Sequence, residues 1–279
     1  MVFLVSWVTD QAPWVGLIGR SRYMKTSASG FANSLPWAKS LLDHAKRVVV
    51  LTGAGISTDS GIPDFRGPEG LWTRDPEAEK LSDICYYLSD PEIRKKAWRS
   101  RLESPAMGSH PNAGHHALVA LEQRGVLHTL VTQNIDGLHQ LAGNATERVI
   151  EIHGTMRFVR CMSCSYRVPM EEVVERLNAG ETDPDCPACG GILKSATISF
   201  GQNLVPQDLA RAERAAQGCD LLLAVGSTLS VYPVAGLVPL AKHSGAKIVI
   251  VNGEPTAMDS LADAMLCGGI GELLPSLIA

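Results

Sequence analysis

Residues 47–58, with the sequence RVVVLTGAGIST, place a run of apolar residues directly before a glycine-rich loop. The apolar run at 47–52 predicts a short buried strand. Gly53 and Gly55 would then let the backbone approach a pyrophosphate, and the N-terminus of a following helix would offer its free N–H groups. This order of elements predicts a dinucleotide-binding loop, with a simple tight turn as the alternative.

The loop departs from the fingerprint of ordinary dehydrogenases. Thr58 stands where the third glycine would be, and Asp75, about 20 residues after the loop, does not follow a second predicted strand. A carboxylate that could bind a ribose comes much later, at Glu254, directly after the apolar run at 247–252. We therefore expect a dinucleotide site that differs from that of a dehydrogenase.

Short apolar runs bounded by turn residues predict the other strands, at residues 126–132, 149–152, 220–225 and 247–252. Helix-like stretches lie between them, at residues 36–46, 111–124, 206–217 and 233–244. Alternating strands and helices predict a mostly parallel sheet that is covered on both faces. The expected fold class is therefore α/β, with a Rossmann-like parallel sheet.

Two stretches interrupt this alternation. Residues 61–109 are polar, contain several prolines and favour helices, and residues 155–194 contain two pairs of cysteines. We predict that a helical cofactor-loop insertion and a zinc-ribbon insertion form a smaller module beside the large domain. The large domain would then comprise residues 36–60, 110–154 and 195–279, after an irregular N-terminal extension at 1–35.

The composition excludes several classes of protein. Of the 279 residues, 45% are hydrophobic and 19% are charged, and the net charge is −4, which is unlike a disordered chain or a strongly basic nucleic-acid binder. We expect no direct contact with nucleic acid, because a grip on the phosphate backbone needs clustered positive charge. The composition carries no prediction of the oligomeric state.

The N-terminal residues are apolar, but Asp10, Gln11 and Pro13 interrupt them well short of the ~20 residues that span a bilayer. No basic segment precedes them, as it would in a secretory signal. We predict a cytoplasmic protein without a membrane partner. Arg20 and Arg22 keep organelle import open as an alternative.

Four of the seven cysteines form two C-x-x-C pairs, Cys161 with Cys164 and Cys186 with Cys189, separated by 21 residues. Two such turns can bring four thiolates around one ion, which predicts a closed structural zinc site with one zinc per chain. A redox dithiol or two unrelated turns are the alternatives. The isolated cysteines are expected to pack as small apolar side chains, at Cys85, Cys219 and Cys267.

Three more polar segments follow predicted strands, where ligands collect in open α/β sheets. They are TQNIDGLH at 132–139, EIHG at 151–154 and VGST at 225–228. Together with GAGIS at 53–57, GIPDFRG at 61–67, the paired cysteines and NGE at 252–254, these motifs resemble the sirtuin family of NAD-dependent protein deacylases. The resemblance runs from about residue 48 to the C-terminus.

The resemblance implies three catalytic residues. His153 would be the general base, since a neutral imidazole accepts a proton near physiological pH. Asn134 and Asp136 would line the pocket for nicotinamide and its ribose, with Asp136 accepting a hydrogen bond from the carboxamide. Their residue types also predict an Asx-type turn. The remaining histidines near these motifs are expected to cap, pack or face solvent, at His110, His115, His116 and His139.

The resemblance also implies how NAD and the peptide bind. Phe65 would shield the reacting ribose carbon, Arg66 would lie near phosphate, and Glu254 would bind the adenosine ribose. The implied NAD contacts are Gly53, Ala54, Gly55, Asp64, Phe65, Arg66, Gln133, Asn134, Ile135, Asp136, Gly226, Ser227, Thr228, Asn252, Glu254 and Ile270. An acyl-lysine peptide would add a strand between residues 199–203 and 229–233, with contacts from Phe200, Gly201 and Val231.

The implied reaction consumes NAD. Nicotinamide leaves the ribose, the acyl oxygen of a modified lysine attacks the same carbon, and His153 and then water resolve the adduct. The products would be free lysine, nicotinamide and O-acyl-ADP-ribose, and the zinc would lie away from the chemistry.

Two departures bear on the substrate. Gln202 stands where many sirtuins have a glutamate at the peptide groove, and Trp98-x-x-Arg101 is the nearest match to the Tyr-x-x-Arg pair of sirtuins that prefer acidic acyl groups. We therefore expect acetyl or another uncharged acyl group. The alternative functions are mono-ADP-ribosyl transfer from the same NAD site and a non-enzymatic NAD-sensing module.

Overall fold

A computed structural model describes residues 34–65, 67 and 70–279. Its strands are β1 Val48–Thr52, β2 Leu127–Thr132, β3 Val149–Glu151, β4 Gly154–Cys161, β5 Arg167–Pro169, β6 Leu193–Thr197, β7 Leu221–Val225, β8 Lys247–Asn252 and β9 Ala264–Cys267. Its helices are α1 Leu35–His44, α2 Leu71–Arg74, α3 Ile84–Ser89, α4 Pro91–Leu102, α5 Ala113–Gln123, α6 Leu138–Ala142, α7 Met170–Asn178, α8 Pro206–Gly218, α9 Leu237–His243 and α10 Ile270–Ile278. Nearly all of the predicted N-terminal extension, and Arg66, lie outside the described residues.

The large sheet is parallel and has the strand order β3-β2-β1-β7-β8-β9. The first strand, β1, lies between β2 and β7, so that Val50 is paired with Leu130 on one side and with Leu223 on the other. The strand order reverses beside β1, and ligands of open α/β sheets bind at the carboxyl ends of the strands at such a point. The predicted parallel sheet is therefore confirmed.

Helices cover both faces of this sheet. Val49 and Leu51 of β1 face a core that includes residues of α8 and α9. Val48 and Val50 face a second core, which includes residues of α1, α5 and α10. This alternation follows from the period of two along a strand, and it confirms the predicted fold class.

The smaller sheet is antiparallel, with the order β5-β4-β6. Met170 and Val173 of α7 pack on it together with Val159 and Leu193. Trp98 of α4 is buried in the same core, so the helical insertion and the cysteine-containing insertion share apolar contacts. The division of the chain into domains stays a prediction.

Helix ends follow local sequence signals. The Ser34 side chain accepts a hydrogen bond from the Trp37 N–H at the start of α1, and Asn112 and His115 form a reciprocal capping box on α5. Within the described part of the chain, each helix is too short or too polar to span a membrane.

Candidate active site

Two glycine loops meet at the carboxyl ends of β1 and β7. The Gly53 N–H donates to the Val225 carbonyl and the Gly55 N–H donates to the Gly226 carbonyl, each at 2.9 Å. A Cβ atom on Gly53 would lie 2.6 Å from the Gly226 carbonyl oxygen. These glycines are therefore required by the contact between the two loops, as well as by the predicted approach of a pyrophosphate.

The loop after β1 forms a short helix. Ala54–Ser60 forms a 3₁₀ helix that ends at Gly61, which has a φ of 81°. Thr58, which stands in place of the third glycine, donates from its hydroxyl to the Gly55 carbonyl at 3.0 Å. The side chain of Asn112 donates to the Ile56 carbonyl at 2.8 Å, so α5 holds this loop from outside. A tertiary contact and a tight turn therefore shape the helix that follows β1.

Gly226 carries the first testable prediction. Replacing Gly226 with alanine is expected to lower the free energy of unfolding by more than about 2 kcal/mol, because the residue has a φ of 63° and an added Cβ would overlap the backbone of Gly55 and Ile56. Urea denaturation would measure the change. Gly245→Ala is the matched control, since Gly245 also has a positive φ but nothing within 4 Å of the added Cβ. Equal losses in the two variants would contradict the loop contact.

Asn134, Ser57 and Asp136 form a hydrogen-bonded cluster below the two loops. The Asn134 side chain donates to Gly53 O and Ser57 Oγ, both at 3.1 Å, and Ser57 Oγ donates to Asp136 Oδ2 at 2.8 Å. Asp136 Oδ1 accepts from the Leu138 N–H at 2.9 Å, which is the predicted Asx turn. The turn thus places the carboxylate in the site. Sequence reasoning did not single out Ser57, although the residue lies within the GAGIS motif.

His153 follows β3 and is half-buried beside this cluster. Its Nδ1 lies 3.1 Å from the Gln133 carbonyl, which can only accept, so Nδ1 carries the proton. Its Nε2 is buried and has no partner among the described residues. Burial lowers the pKa of His153, and the Gln133 carbonyl offsets only part of this effect. At neutral pH the ring is therefore uncharged, with a lone pair free on Nε2.

The four paired cysteines form one cluster in which all Sγ atoms lie within 4.8 Å of one another. Two of the Sγ–Sγ separations join the two pairs, at 3.5 Å between Cys161 and Cys189 and 3.7 Å between Cys164 and Cys186. A tetrahedral zinc with Zn–S bonds of about 2.3 Å requires Sγ atoms about 3.8 Å apart. The thiol groups thus fit one structural zinc, which they would hold as thiolates.

A model of the Sir2 family matches residues 53–233. The chain belongs to the Sir2 family. It is 52% identical over 231 residues to NAD-dependent protein deacetylase 2 of Streptomyces coelicolor. The aligned region covers 83% of this chain and 96% of the relative.

Solved Sir2 structures agree with this assignment. One Sir2 enzyme superposes with a TM-score of 0.80 at 40% identity and covers 88% of this sirtuin and 96% of the solved chain. A Sir2 enzyme bound to a propionylated peptide gives a TM-score of 0.76 at 34% identity, with 84% of this sirtuin and 93% of the solved chain covered.

The phosphate side of the sirtuin's predicted NAD site is built from the loops after β2 and β7. Ser227 Oγ accepts from the Gln133 side chain at 2.9 Å and from the Leu229 N–H at 3.2 Å. Thr228 Oγ1 lies 2.8 Å from Ser230 Oγ. The Ile135 carbonyl accepts from the Met156 N–H, so this loop is also tied to β4.

The predicted adenosine side lies beyond β8 and β9. The Asn252 side chain donates to the Glu254 carbonyl at 2.6 Å, and Glu254 itself is exposed. Ile270 begins α10, and its side chain packs in the same core as Ile56. A ligand could therefore contact Ile270 only through its backbone. In the predicted cofactor loop, Asp64 Oδ1 accepts from the Gly67 N–H at 2.8 Å, and Phe65 is 38% exposed.

The predicted peptide segment is partly engaged within the sirtuin itself. The Phe200 N–H donates to Ser82 O at 2.8 Å and its carbonyl accepts from the Ile84 N–H at 3.0 Å, so the helical insertion pairs with both backbone groups. Gly201 has a φ of 80° and turns the chain at this point. Val231 is partly buried against the core below. Main-chain bonds to a peptide would therefore have to come from residues other than Phe200.

The remaining histidines and the three isolated cysteines differ in their burial. His115 caps α5, His139 is buried, and His110 and His116 are exposed, as predicted. Cys219 is buried, but Cys85 and Cys267 are exposed, so the expectation that they pack inside was wrong. Cys85 is the second residue of α3 and Cys267 is the last residue of the short strand β9.

Proposed function

We propose that this sirtuin removes uncharged acyl groups from protein lysines with consumption of NAD, and that His153 is its general base. Curated relatives named as NAD-dependent protein deacetylases and the family match support the NAD-dependent deacylation. The observation that carries the role of His153 is its buried and unpartnered Nε2, held in the neutral form beside the Asn134 and Asp136 cluster. A base in this form can accept a proton without first losing one.

Each neighbouring residue has a separate task in this proposal. Bound NAD would supply the electrophilic ribose carbon. Gln133 orients the imidazole through its carbonyl and reaches Ser227 with its side chain, which couples the base to the phosphate loop. Asp136 Oδ1 and Oδ2 each accept one hydrogen bond from the protein, and a carboxylate oxygen can accept a second one. Asp136 can therefore still bind the nicotinamide amide. The other NAD contacts inferred from the motifs stay predictions.

The surroundings of Trp98 and Arg101 support an uncharged acyl group. Trp98 is 2% exposed and packs inside the core shared with the smaller sheet. Arg101 donates to Ser195 Oγ at 3.4 Å. The pair therefore has an internal structural role.

We expect an acetyl-lysine peptide to react at least about tenfold faster than the same succinyl-lysine peptide, because a buried carboxylate without a partner costs several kcal/mol. Steady-state rates on the two peptides measure this, and a faster succinyl peptide would contradict it.

Mass spectrometry of the products formed from NAD and acyl-lysine peptides tests the proposed reaction directly. We expect nicotinamide, free lysine and O-acyl-ADP-ribose in equal amounts. ADP-ribose on a protein acceptor without O-acyl-ADP-ribose would indicate the transferase alternative, and no release of nicotinamide would indicate the sensing module. The cytoplasmic location and the lack of a nucleic-acid partner stay predictions.

The pH profile tests the state of His153. The base form exists above its pKa, and burial lowers that pKa below the usual 6.5. We therefore expect kcat/KM to fall on the acid side with a midpoint below pH 6.5, since this parameter reports groups of the free enzyme. The pH profile measured with a second acyl-lysine peptide of unrelated sequence is the control for ionisation of the substrate. An acid-side midpoint above pH 7 would contradict the assignment.

A further inference from the structure

Two buried histidines that the proposed mechanism does not use lie close together behind the active site. His115 of α5 and His139 of α6 are 0% and 1% exposed, and their ring centroids are 5.0 Å apart. His139 Nε2 lies 3.0 Å from Thr52 Oγ1, and His115 Nδ1 accepts from the backbone N–H of Asn112 at 3.3 Å. Each ring is thus held through one nitrogen.

The other two ring nitrogens determine how the rings relate to each other. His115 Nε2 and His139 Nδ1 are buried and have no partner among the described residues. Because His115 Nδ1 is an acceptor, the proton of a neutral His115 is on Nε2. If His139 donates from Nε2 to Thr52 Oγ1, its Nδ1 is an acceptor. Donation would then run in one direction from Asn112 through His115 and His139 to Thr52, with one water bridging His115 Nε2 and His139 Nδ1, because these two atoms make no direct hydrogen bond.

The observed hydrogen bonds at both ends of the histidine pair lead to the glycine loop. The Asn112 side chain donates to the Ile56 carbonyl at 2.8 Å and to Ser60 Oγ at 2.9 Å, which holds the 3₁₀ helix. Thr52 directly precedes Gly53, and its carbonyl accepts from the Gln133 N–H at 3.0 Å. The pair of histidines therefore links α5 and α6 to the two ends of the loop and to the loop that carries Asn134.

We propose that His115 and His139 act as a neutral pair of positioning residues that holds the glycine loop in the geometry that binds NAD. This inference rests on the proposed function for its NAD readout, whereas the coupling between the two rings can be measured without it. A positive charge on either ring would disrupt the pair, because each donor in the chain needs a lone pair opposite it.

The surroundings keep both rings uncharged. Burial lowers the pKa of His115 to about 4, with Asp136 opposing and His116 adding to the effect. Burial also places the pKa of His139 well below the usual value, and His115 lowers it further. Asp136, His116 and the two rings are the titratable groups that face the pair, and Thr52 of β1 adds no charge.

The test compares His115→Gln, His139→Gln and the double variant with His116→Gln, which changes the exposed neighbour on the same helix. Glutamine at position 115 retains an acceptor for the capping box, and at position 139 it retains an amide that can reach Thr52, so each variant mainly removes the contact between the rings. We expect each single variant to raise the KM for NAD by about fivefold or more while kcat and the KM for the peptide change less than about twofold. The double variant should be no worse than the more severe single variant, and His116→Gln should behave as the unchanged protein.

A purely structural role would instead lower the active fraction and therefore kcat, with the KM for NAD unchanged, and this result would overturn the proposal. Multiplicative effects in the double variant would also overturn it. Should a variant fold poorly, ¹⁵N NMR of the imidazoles in the unchanged protein provides a second measurement. Protonated Nε2 in both rings and no titration between about pH 5.5 and 7.5 support the pair, and titration of either ring near pH 6.5 contradicts it. Absence of NAD-dependent deacylation in the unchanged protein would refute the proposed function, while the unfolding free energies of the four variants would still report the coupling.

Discussion

Replacing His153 with tyrosine is expected to lower kcat for NAD-dependent deacylation by at least about 100-fold, the range that a general base contributes. The imidazole presents an uncharged Nε2 that is buried and has no partner among the described residues. A tyrosine hydroxyl is protonated at neutral pH and cannot act as a base there. Turnover is measured by release of nicotinamide together with loss of the acyl group.

A second substitution distinguishes loss of the general base from loss of the native fold. His153→Asn retains an amide that can donate to the Gln133 carbonyl, as Nδ1 does, but has no basic nitrogen. We expect the same loss of turnover with a thermal unfolding midpoint close to that of the unchanged protein. His243→Gln is the matched control, since His243 is exposed at the end of α9 and is not among the residues assigned to the site. More than a tenth of the original turnover in the asparagine variant would refute the role of His153.

Removal of zinc is expected to have the second large effect. We expect one zinc per chain, and we expect Cys186→Ser or prolonged chelation to lose the metal and unfold the smaller sheet. Structural zinc contributes on the order of 10 kcal/mol of apparent binding free energy, which is more than the stability of a small module. Metal analysis and hydrogen exchange of β4 and β6 measure the two effects.

Loss of zinc should also remove the activity, although the thiolates take no part in the chemistry. Strand β4 begins at Gly154, directly after His153, and the His153 carbonyl accepts from the Ile198 N–H at 2.7 Å beyond β6. Unfolding of these strands would therefore release the base from its position. Cys85→Ser is the control, because Cys85 is exposed and lies outside the cluster. Freshly purified protein with well under one zinc per chain and full activity would contradict this prediction.

The five strands predicted from apolar runs are all present, because a short run bounded by turn residues needs only local information. Strand β9 was not predicted. It has only four residues, AMLC, and it pairs at the edge of the sheet with β8, so its strand conformation depends on a partner that the local pattern does not show. The short 3₁₀ helix after β1 likewise depends on residues outside it, since Asn112 and Gly226 contact it.

Spacing and residue type were sufficient to predict the fold class, the clustering of the four paired cysteines and the positions of Asn134, Asp136 and His153 after their strands. No local pattern predicts that Ser57 joins Asn134 to Asp136 or that the insertion pairs with both backbone groups of Phe200, and these contacts arise from the packing of distant elements. The tertiary structure also decided which ring nitrogens of His115, His139 and His153 have partners. The physical reason is that a hydrogen-bond partner is set by distance in space, and the partners of these side chains come from other elements that are far away along the chain.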